Sequence, residues 1–195
     1  MSAEPAGAPA LTMHERVVGA AAELTLEVGW AGVTMGKLAD RVGVSRQTVY
    51  NEVGSKPRLA EEMVLAELAT FLAVVDAAFD AQPTDLVEAI RLASRGVLEL
   101  AGSNALLQAV VSASYGAETE LLPLLTTRND ALVLTATQAV RRRVAAYRID
   151  MDARRLDAAI DMVVRLVLSH VVHPVDTPAA TADDIAWIAG RTLRP

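Results

Sequence analysis

Five polar side chains are spaced along one short segment in a pattern that favours contact with DNA. Arg46 and Gln47 can each make two hydrogen bonds to base edges, and Thr48 can touch a thymine methyl group. Tyr50 and Asn51 can reach phosphate oxygens. Because the major groove of a duplex admits one α-helix, these residue types at this spacing predict a DNA-reading helix.

The flanking residues predict a helix, a tight turn and a second helix. Thr34 is a suitable N-cap for the first helix, and Gly43 is suited to end that helix in a left-handed conformation. Ser45 then supplies a capping oxygen for the second helix, which buries Val49 and Val53. The second helix therefore turns its polar side chains outward.

Residues 12–60 resemble the N-terminal domain of the TetR family of bacterial transcription regulators. The likeness lies in an amphipathic first helix, the stretch VTMGKLADRVGVSRQTVYNEVGSK, and a long fourth helix that opens at the corner formed by residues 55–57. Two residues depart from the family pattern: Val53 stands where an aromatic residue is usual, and Glu52 is acidic on a surface near phosphates. The resemblance covers about a quarter of the chain.

The resemblance implies an all-α fold. It implies an N-terminal three-helix DNA-binding domain with a helix-turn-helix, followed by a C-terminal helical domain for ligand binding and dimerisation. Base contacts are expected from Arg46, Gln47 and Thr48. Phosphate contacts are expected from Thr34, Lys37, Ser45, Tyr50, Asn51 and Lys56. A short helical hairpin is more often plain packing than a DNA reader, but the spacing and the surface chemistry together favour DNA.

The net charge of −6 is unusual for a DNA-binding protein until it is divided along the chain. Residues 34–58 hold five basic and two acidic side chains, a local balance of +3. Residues 59–195 hold 12 basic and 18 acidic side chains. This asymmetry predicts that one end of the molecule faces the phosphate backbone.

Composition indicates a globular protein of the cytoplasm. The 195 residues are 52% hydrophobic, enough for a sizeable core. No cysteine is present, which fits a reducing compartment, and the first ten residues lack the features of a signal peptide. The longest apolar passage, 163–172, is too short and too polar to span a bilayer, so no membrane partner is expected.

Start and stop signals divide the chain into three parts: a disordered tail at 1–11, a DNA-binding domain at 12–56, and a ligand-binding and dimerisation domain at 57–195. Thr12 and Glu15 form a predicted capping box, and Gly29 is expected to end the first helix. Beyond the helix-turn-helix, helical segments are expected near residues 57–79, 85–100, after 103, 121–125, 127–147, 152–172 and 182–192.

The segment 152–172 predicts a helix with an unusually wide apolar surface. In a chain of this size such a helix is best shared between a core and a partner. With the helix before it, it can supply half of an intermolecular four-helix bundle in a homodimer. The predicted interface residues are Leu156, Ile160, Val163, Val164, Val167, Leu168 and Val171.

The C-terminal helices also carry polar residues among apolar ones, as in a hydrophobic ligand site with a few orienting hydrogen bonds. Buried polar residues in a helical core give the same pattern without a ligand, so both interpretations stay open for each residue. The resemblance implies a small, lipophilic effector. The candidate ligand-binding residues are Phe71, Asn104, Gln108, Tyr115, Thr135 and Gln138.

Other constellations point to no enzymatic activity, no metal and no cofactor. His170 and His173 are three residues apart, but no further ligand stands at a completing distance, so a packing or capping role is preferred. The consecutive arginines at 141–143 point in different directions on a helix and are best read as a solvated face. No glycine-rich phosphate loop or serine-nucleophile motif occurs.

These observations predict a transcriptional repressor that binds a near-palindromic operator as a dimer and is released by a small lipophilic ligand. The ligand would prefer a conformer with a shifted 57–79 helix, moving the recognition helices out of register with successive major grooves. The alternative is a dimeric helical carrier of small apolar molecules that lacks sequence-specific DNA binding. Salt-sensitive binding to an inverted repeat distinguishes the two.

Overall fold

A computed structural model of the chain describes residues 11–112 and 121–193. Within these ranges every regular element is an α-helix, as the sequence predicts, and no helix has the length and apolar character needed to cross a bilayer. The first ten residues of the predicted tail and the segment 113–120 lie outside the described residues. The helices are α1 (Met13–Gly32), α2 (Met35–Val42), α3 (Arg46–Val53), α4 (Lys56–Ala81), α5 (Leu86–Ser103), α6 (Ala105–Ser112), α7 (Leu122–Leu125), α8 (Asp130–Val144), α9 (Ala153–Val172) and α10 (Pro178–Leu193).

Side-chain caps set the first residue of each N-terminal helix where the sequence predicts it. The capping box of α1 is complete: the Glu15 backbone N–H donates to Thr12 Oγ1 at 3.2 Å, and the Thr12 N–H donates to the Glu15 carboxylate at 2.8 Å. Thr34 caps α2 and Ser45 caps α3 through their hydroxyl oxygens. Gly43 ends α2 in the left-handed region, with φ of 78°.

A break at Gly29 separates the last residues of α1 from the rest of that helix. Gly29 has φ of 72° and ψ of 160°, a combination that essentially only glycine adopts. The break turns the chain so that Trp30 is buried, with 2% of its surface exposed. The predicted helix end at this glycine is therefore correct, and a short further turn follows it.

The chain divides into two compact units, one ending at Met63 and the other beginning at Val64. The boundary lies within α4, seven residues after the predicted one, because the first turns of α4 belong to the N-terminal core. Leu59 and Met63 are fully buried, and the Thr25 hydroxyl of α1 lies 3.9 Å from the Met63 sulfur. The predicted boundary followed the corner before α4 rather than this packing.

The C-terminal unit is built around α5. This helix packs against α9 and α10, and α8 packs against α9. Buried residues of α4, including Val75 and Phe79, join the same hydrophobic core. The helix α10 begins at Pro178, four residues earlier than predicted, because Thr177 Oγ1 accepts the Ala180 N–H at 3.2 Å and proline is favoured in a first helical turn.

Candidate nucleic-acid interface

The outward face of α3 is polar and exposed. The side chains of Arg46, Gln47 and Asn51 are exposed to solvent. Tyr50 is 44% exposed and Thr48 is half-buried. All five side chains proposed from the sequence to meet DNA on this helix are therefore at or near the surface.

Short-range hydrogen bonds organise this face. Gln47 Nε2 donates to Asn51 Oδ1 at 3.0 Å, so these two side chains are presented together. The hydroxyl oxygens of Ser45 and Thr48 lie 2.9 Å apart, and Ser45 Oγ accepts the Thr48 backbone N–H at 3.1 Å. Ser45 and Thr48 therefore shape the N-terminal turn of α3 in addition to their predicted DNA contacts.

Both lysines predicted to contact phosphate donate to carbonyl oxygens at the end of α1. Lys37 Nζ donates to the Gly32 oxygen at 2.8 Å, and Lys56 Nζ donates to the Trp30 oxygen at 2.8 Å. Lys56 Nζ also lies 4.9 Å from the centre of the Trp30 ring, a cation–π contact. Because an ammonium group has three N–H donors, each lysine keeps donors for a further acceptor.

The positive charge near the helix-turn-helix is partly neutralised by α1. The Arg41 guanidinium lies 3.1 Å from the Glu23 carboxylate and 2.5 Å from that of Glu27. The hydrogen bond from Arg41 lowers the pKa of Glu27, and the same bond raises the pKa of Arg41. Arg41 is one of the five basic side chains in residues 34–58, but its charge is paired with the two glutamates of α1.

Two side chains of α1 contact the C-terminal ends of the DNA-binding helices. Arg16 Nη2 donates to the Val42 carbonyl oxygen of α2 at 2.8 Å. His14 Nδ1 lies 3.2 Å from the Glu52 carbonyl oxygen of α3, and its Nε2 lies 3.6 Å from the Glu62 carboxylate. These contacts could not be predicted from local sequence patterns, because they join residues 26, 38 and 48 positions apart.

The structure gives local roles to most of the candidate ligand-binding residues. Asn104 Nδ2 donates to the Glu67 carboxylate, and its Oδ1 accepts the Leu107 N–H at 2.8 Å. Gln108 Nε2 donates to the Ala101 oxygen at 2.9 Å. These two side chains support the α5–α6 junction.

The other candidate ligand-binding residues do not share one site. Phe71 packs partly buried against the core, whereas Thr135 and Gln138 are exposed on α8. The Thr135 hydroxyl donates to the Ala131 oxygen at 2.8 Å within its own helix. Tyr115 lies outside the described residues. A ligand contact for these residues stays a prediction.

The predicted interface residues on α9 divide into two groups. Ile160 and Val164 are only 5% and 8% exposed, because they are already part of the C-terminal core. They keep almost no surface for a second copy and are removed from the predicted interface. The remaining five keep part of their surface: Leu156, Val163, Val167, Leu168 and Val171.

Comparison with known proteins places both units. The family model described as "Bacterial regulatory proteins, tetR family" matches residues 17–63, and the model "Bacterial Tetracyclin repressor, C-terminal domain" matches residues 85–191. The chain belongs to the TetR family. It is a DNA-binding transcriptional regulator, and the helix-turn-helix of this TetR-family protein is the α2–α3 pair.

Individual relatives agree with this assignment. The HTH-type transcriptional regulator AlkX of Mycobacterium tuberculosis is 32% identical over 181 residues, covering 89% of this chain and 82% of that protein. The TetR-family repressor AlkX of Dietzia sp. is 24% identical and has a TM-score of 0.74, covering 93% of this chain and 95% of that one. The repressor QsdR of R. erythropolis is 16% identical, with a TM-score of 0.61 and coverages of 92% and 93%.

Proposed function

We propose that this TetR-family protein is a repressor that binds a near-palindromic operator as a dimer and is released by a small lipophilic ligand. The observation that carries the proposal is the exposed polar face of α3. This helix is capped at its start by Ser45, and its opposite, apolar face is buried. Val49 and Val53 of α3 are fully buried, so the helix has one defined orientation on its unit. Such a regulator acts in the cytoplasm, where a bacterial chromosome is accessible.

The contacts within α3 favour a division of labour on the DNA. Arg46 is exposed at the first position of α3, where recognition helices reach base edges. Gln47 shares this end, and its bond to Asn51 fixes its direction. Lys37 and Lys56 flank the helix-turn-helix as point charges suited to phosphate. We therefore keep Arg46, Gln47 and Thr48 as base readers.

Exposed apolar side chains on α9 and α10 mark the surface that we propose for the second copy. Met162 is 67% exposed, Trp187 is 63% exposed and Ile188 is 44% exposed. The two helices pack against each other and are joined by five residues, which favours an antiparallel pair. Met162 lies ten residues before the end of α9 and Ile188 ten residues after the start of α10, which places them at one level.

This placement changes the helix expected to accompany α9 in the bundle. The sequence favoured α8, whereas the exposed tryptophan and isoleucine favour α10. Tryptophan is enriched at the centres of protein interfaces because it buries a large apolar area at small entropic cost. A two-fold axis beside α9 and α10 would bring the exposed apolar surface of one copy into contact with the same surface of the other.

Release by a ligand requires that the ligand prefer one conformer of the protein. We propose that α4 conveys this preference, since its residues belong to both units. The Dietzia AlkX is a repressor implicated in the biodegradation of n-alkanes, and the M. tuberculosis relative has the same name. Long-chain alkyl compounds are therefore the first effectors to screen.

The proposal is tested by selecting fragments of genomic DNA on the purified protein and measuring their affinity at several salt concentrations. Enrichment of an inverted repeat with salt-sensitive binding supports the repressor. Tight binding of alkyl compounds without any DNA preference supports the carrier of small apolar molecules instead. Compounds that release the selected fragment then identify the effector class.

The Arg46→Ala and Lys37→Ala substitutions should weaken operator binding in different ways. Arg46→Ala is expected to relax the base preference at one or two positions, at a cost of about 1–3 kcal/mol, because it removes a bidentate base contact. Lys37→Ala should weaken binding to all sequences and reduce the slope of log affinity against log salt by about one. Competition assays against single-base operator variants measure both effects. A uniform loss in both variants would show that the base readers are assigned wrongly.

A further inference from the structure

The end of α8 and the residues that follow it contact the C-terminal end of α4. The Tyr147 hydroxyl donates to the Gln82 carbonyl oxygen and lies 3.5 Å from that of Phe79. The Tyr147 ring meets the Phe79 ring edge-on, with the ring centres 6.0 Å apart and the planes at 77°. The Gln82 N–H also donates to the Phe79 oxygen at 3.3 Å, so the Tyr147 hydroxyl joins the hydrogen bonds at the point where the chain leaves α4.

Arg143 adds a charged contact to the same end of α4. Its guanidinium hydrogen-bonds the Asp80 carboxylate, and Nη2 lies 3.4 Å from the Asp76 carbonyl oxygen. Its Nε lies 3.7 Å from the Asp76 carboxylate. The bond with Asp80 raises the pKa of Arg143, so the group stays cationic. A cation at a helix C-terminus is favoured by the helix dipole.

The neighbouring Arg141 has a different partner although it stands only two residues away. Its guanidinium lies 2.9 Å from the Asp157 carboxylate of α9. Arg141 therefore joins α8 to α9, whereas Arg143 and Tyr147 join the α8 end to α4. The sequence predicted a solvated face for these arginines, but the contacts of Arg143 join residues more than 60 positions apart.

We propose that Arg143 and Tyr147 are positioning residues that hold the C-terminal end of α4 and thereby set the affinity for operator DNA. This inference rests on the proposed function. The helix α4 runs from Lys56 to Ala81, and its residues belong to both units. If α4 samples several positions, the fraction of molecules with correctly placed recognition helices falls, and so does the apparent affinity.

The test compares three full-length variants on the DNA fragment selected most strongly by the wild-type protein. Tyr147→Phe keeps the ring contact with Phe79 and removes the hydroxyl, and Arg143→Gln removes the charge. Arg141→Gln is the matched control, since it removes an arginine of the same helix whose ion-pair partner, Asp157, lies on α9. Dissociation constants are measured at a temperature at which every variant is fully folded, so that lost stability alone leaves them unchanged.

We expect Tyr147→Phe and Arg143→Gln each to raise the operator dissociation constant about tenfold, and Arg141→Gln to change it less than about twofold. In the double variant Arg143→Gln with Tyr147→Phe, the loss of operator-binding free energy should be smaller than the sum of the two single losses, because both side chains act on one helix end. Faster amide exchange over residues 76–82 in both single variants would show that the end of α4 has loosened. An unchanged or a higher operator affinity in both would overturn the proposal.

The same experiment separates failure of this inference from failure of the proposed function. If the wild-type protein selects no DNA fragment, the repressor proposal fails and the coupling to DNA fails with it. Amide exchange still reports on the helix end itself in that case. Unchanged exchange over residues 76–82 would show that Arg143 and Tyr147 do not hold α4.

Discussion

The Gly29→Ala substitution should lower the free energy of unfolding of the N-terminal unit by about 1–3 kcal/mol. A β-carbon is strongly disfavoured at the φ of 72° and ψ of 160° that Gly29 adopts. Relaxing the backbone would move Trp30, which is buried beneath Lys56. Urea titration followed by tryptophan fluorescence measures the effect, and a Trp187→Phe background restricts the signal to Trp30.

The same substitution at Gly19 is the matched control. Gly19 is an exposed residue within the helical part of α1, and a β-carbon there would meet nothing within 4 Å. Gly19→Ala should therefore raise the free energy of unfolding by about 0.5–1 kcal/mol, since alanine loses less conformational entropy in a helix. If the free energy of unfolding changed by the same amount and in the same direction in both variants, the positive φ at Gly29 would be contradicted.

The Trp187→Glu substitution should raise the dissociation constant of the proposed dimer about a hundredfold or more. A tryptophan at an interface centre contributes at least about 2 kcal/mol, and two-fold symmetry would place two glutamates in the same interface. A separated protomer reads one half-site, so operator affinity should fall steeply. Sedimentation of the wild-type and variant proteins measures assembly, and a shift assay on the operator fragment measures binding.

Leu134→Glu distinguishes the two possible partners of α9 in this interface. Leu134 lies on α8 and is 59% exposed, close to the exposure of Trp187. If the bundle is formed by α9 and α10, Leu134→Glu leaves the sedimentation coefficient unchanged. Dissociation caused by Leu134→Glu but not by Trp187→Glu would show that α8 accompanies α9, as the sequence first favoured.

Features fixed by neighbouring residues were predictable from the sequence. The capping box at Thr12, the caps at Thr34 and Ser45 and the left-handed Gly43 each depend on residues within four positions. The helix-turn-helix could be recognised for the same reason, because its caps, turn and outward polar residues all occur in one short stretch. The start of α10 also has a local signal in Thr177, whose hydroxyl oxygen accepts the Ala180 N–H.

Contacts between distant segments could not be predicted in this way. The wide apolar surface of α9 was recognised, but only packing decides that Ile160 and Val164 are buried in the core of one protomer. Likewise, nothing near Arg143 in the sequence indicates that its partners are Asp76 and Asp80 on α4. The exposed polar face of α3 was predicted more fully than the C-terminal packing, because its caps and outward residues lie close together in the sequence.

The two bonds from lysine to the end of α1 have a practical consequence for experiments. Lys37 and Lys56 are the only lysines in the sequence, so amine acylation of side chains is confined to the DNA-binding unit. Acylation would remove the charge at each position and leave one amide N–H in place of the three donors of the ammonium group. Mass spectrometry of acylated peptides, with and without the operator fragment, would therefore report site by site whether DNA shields these two amines.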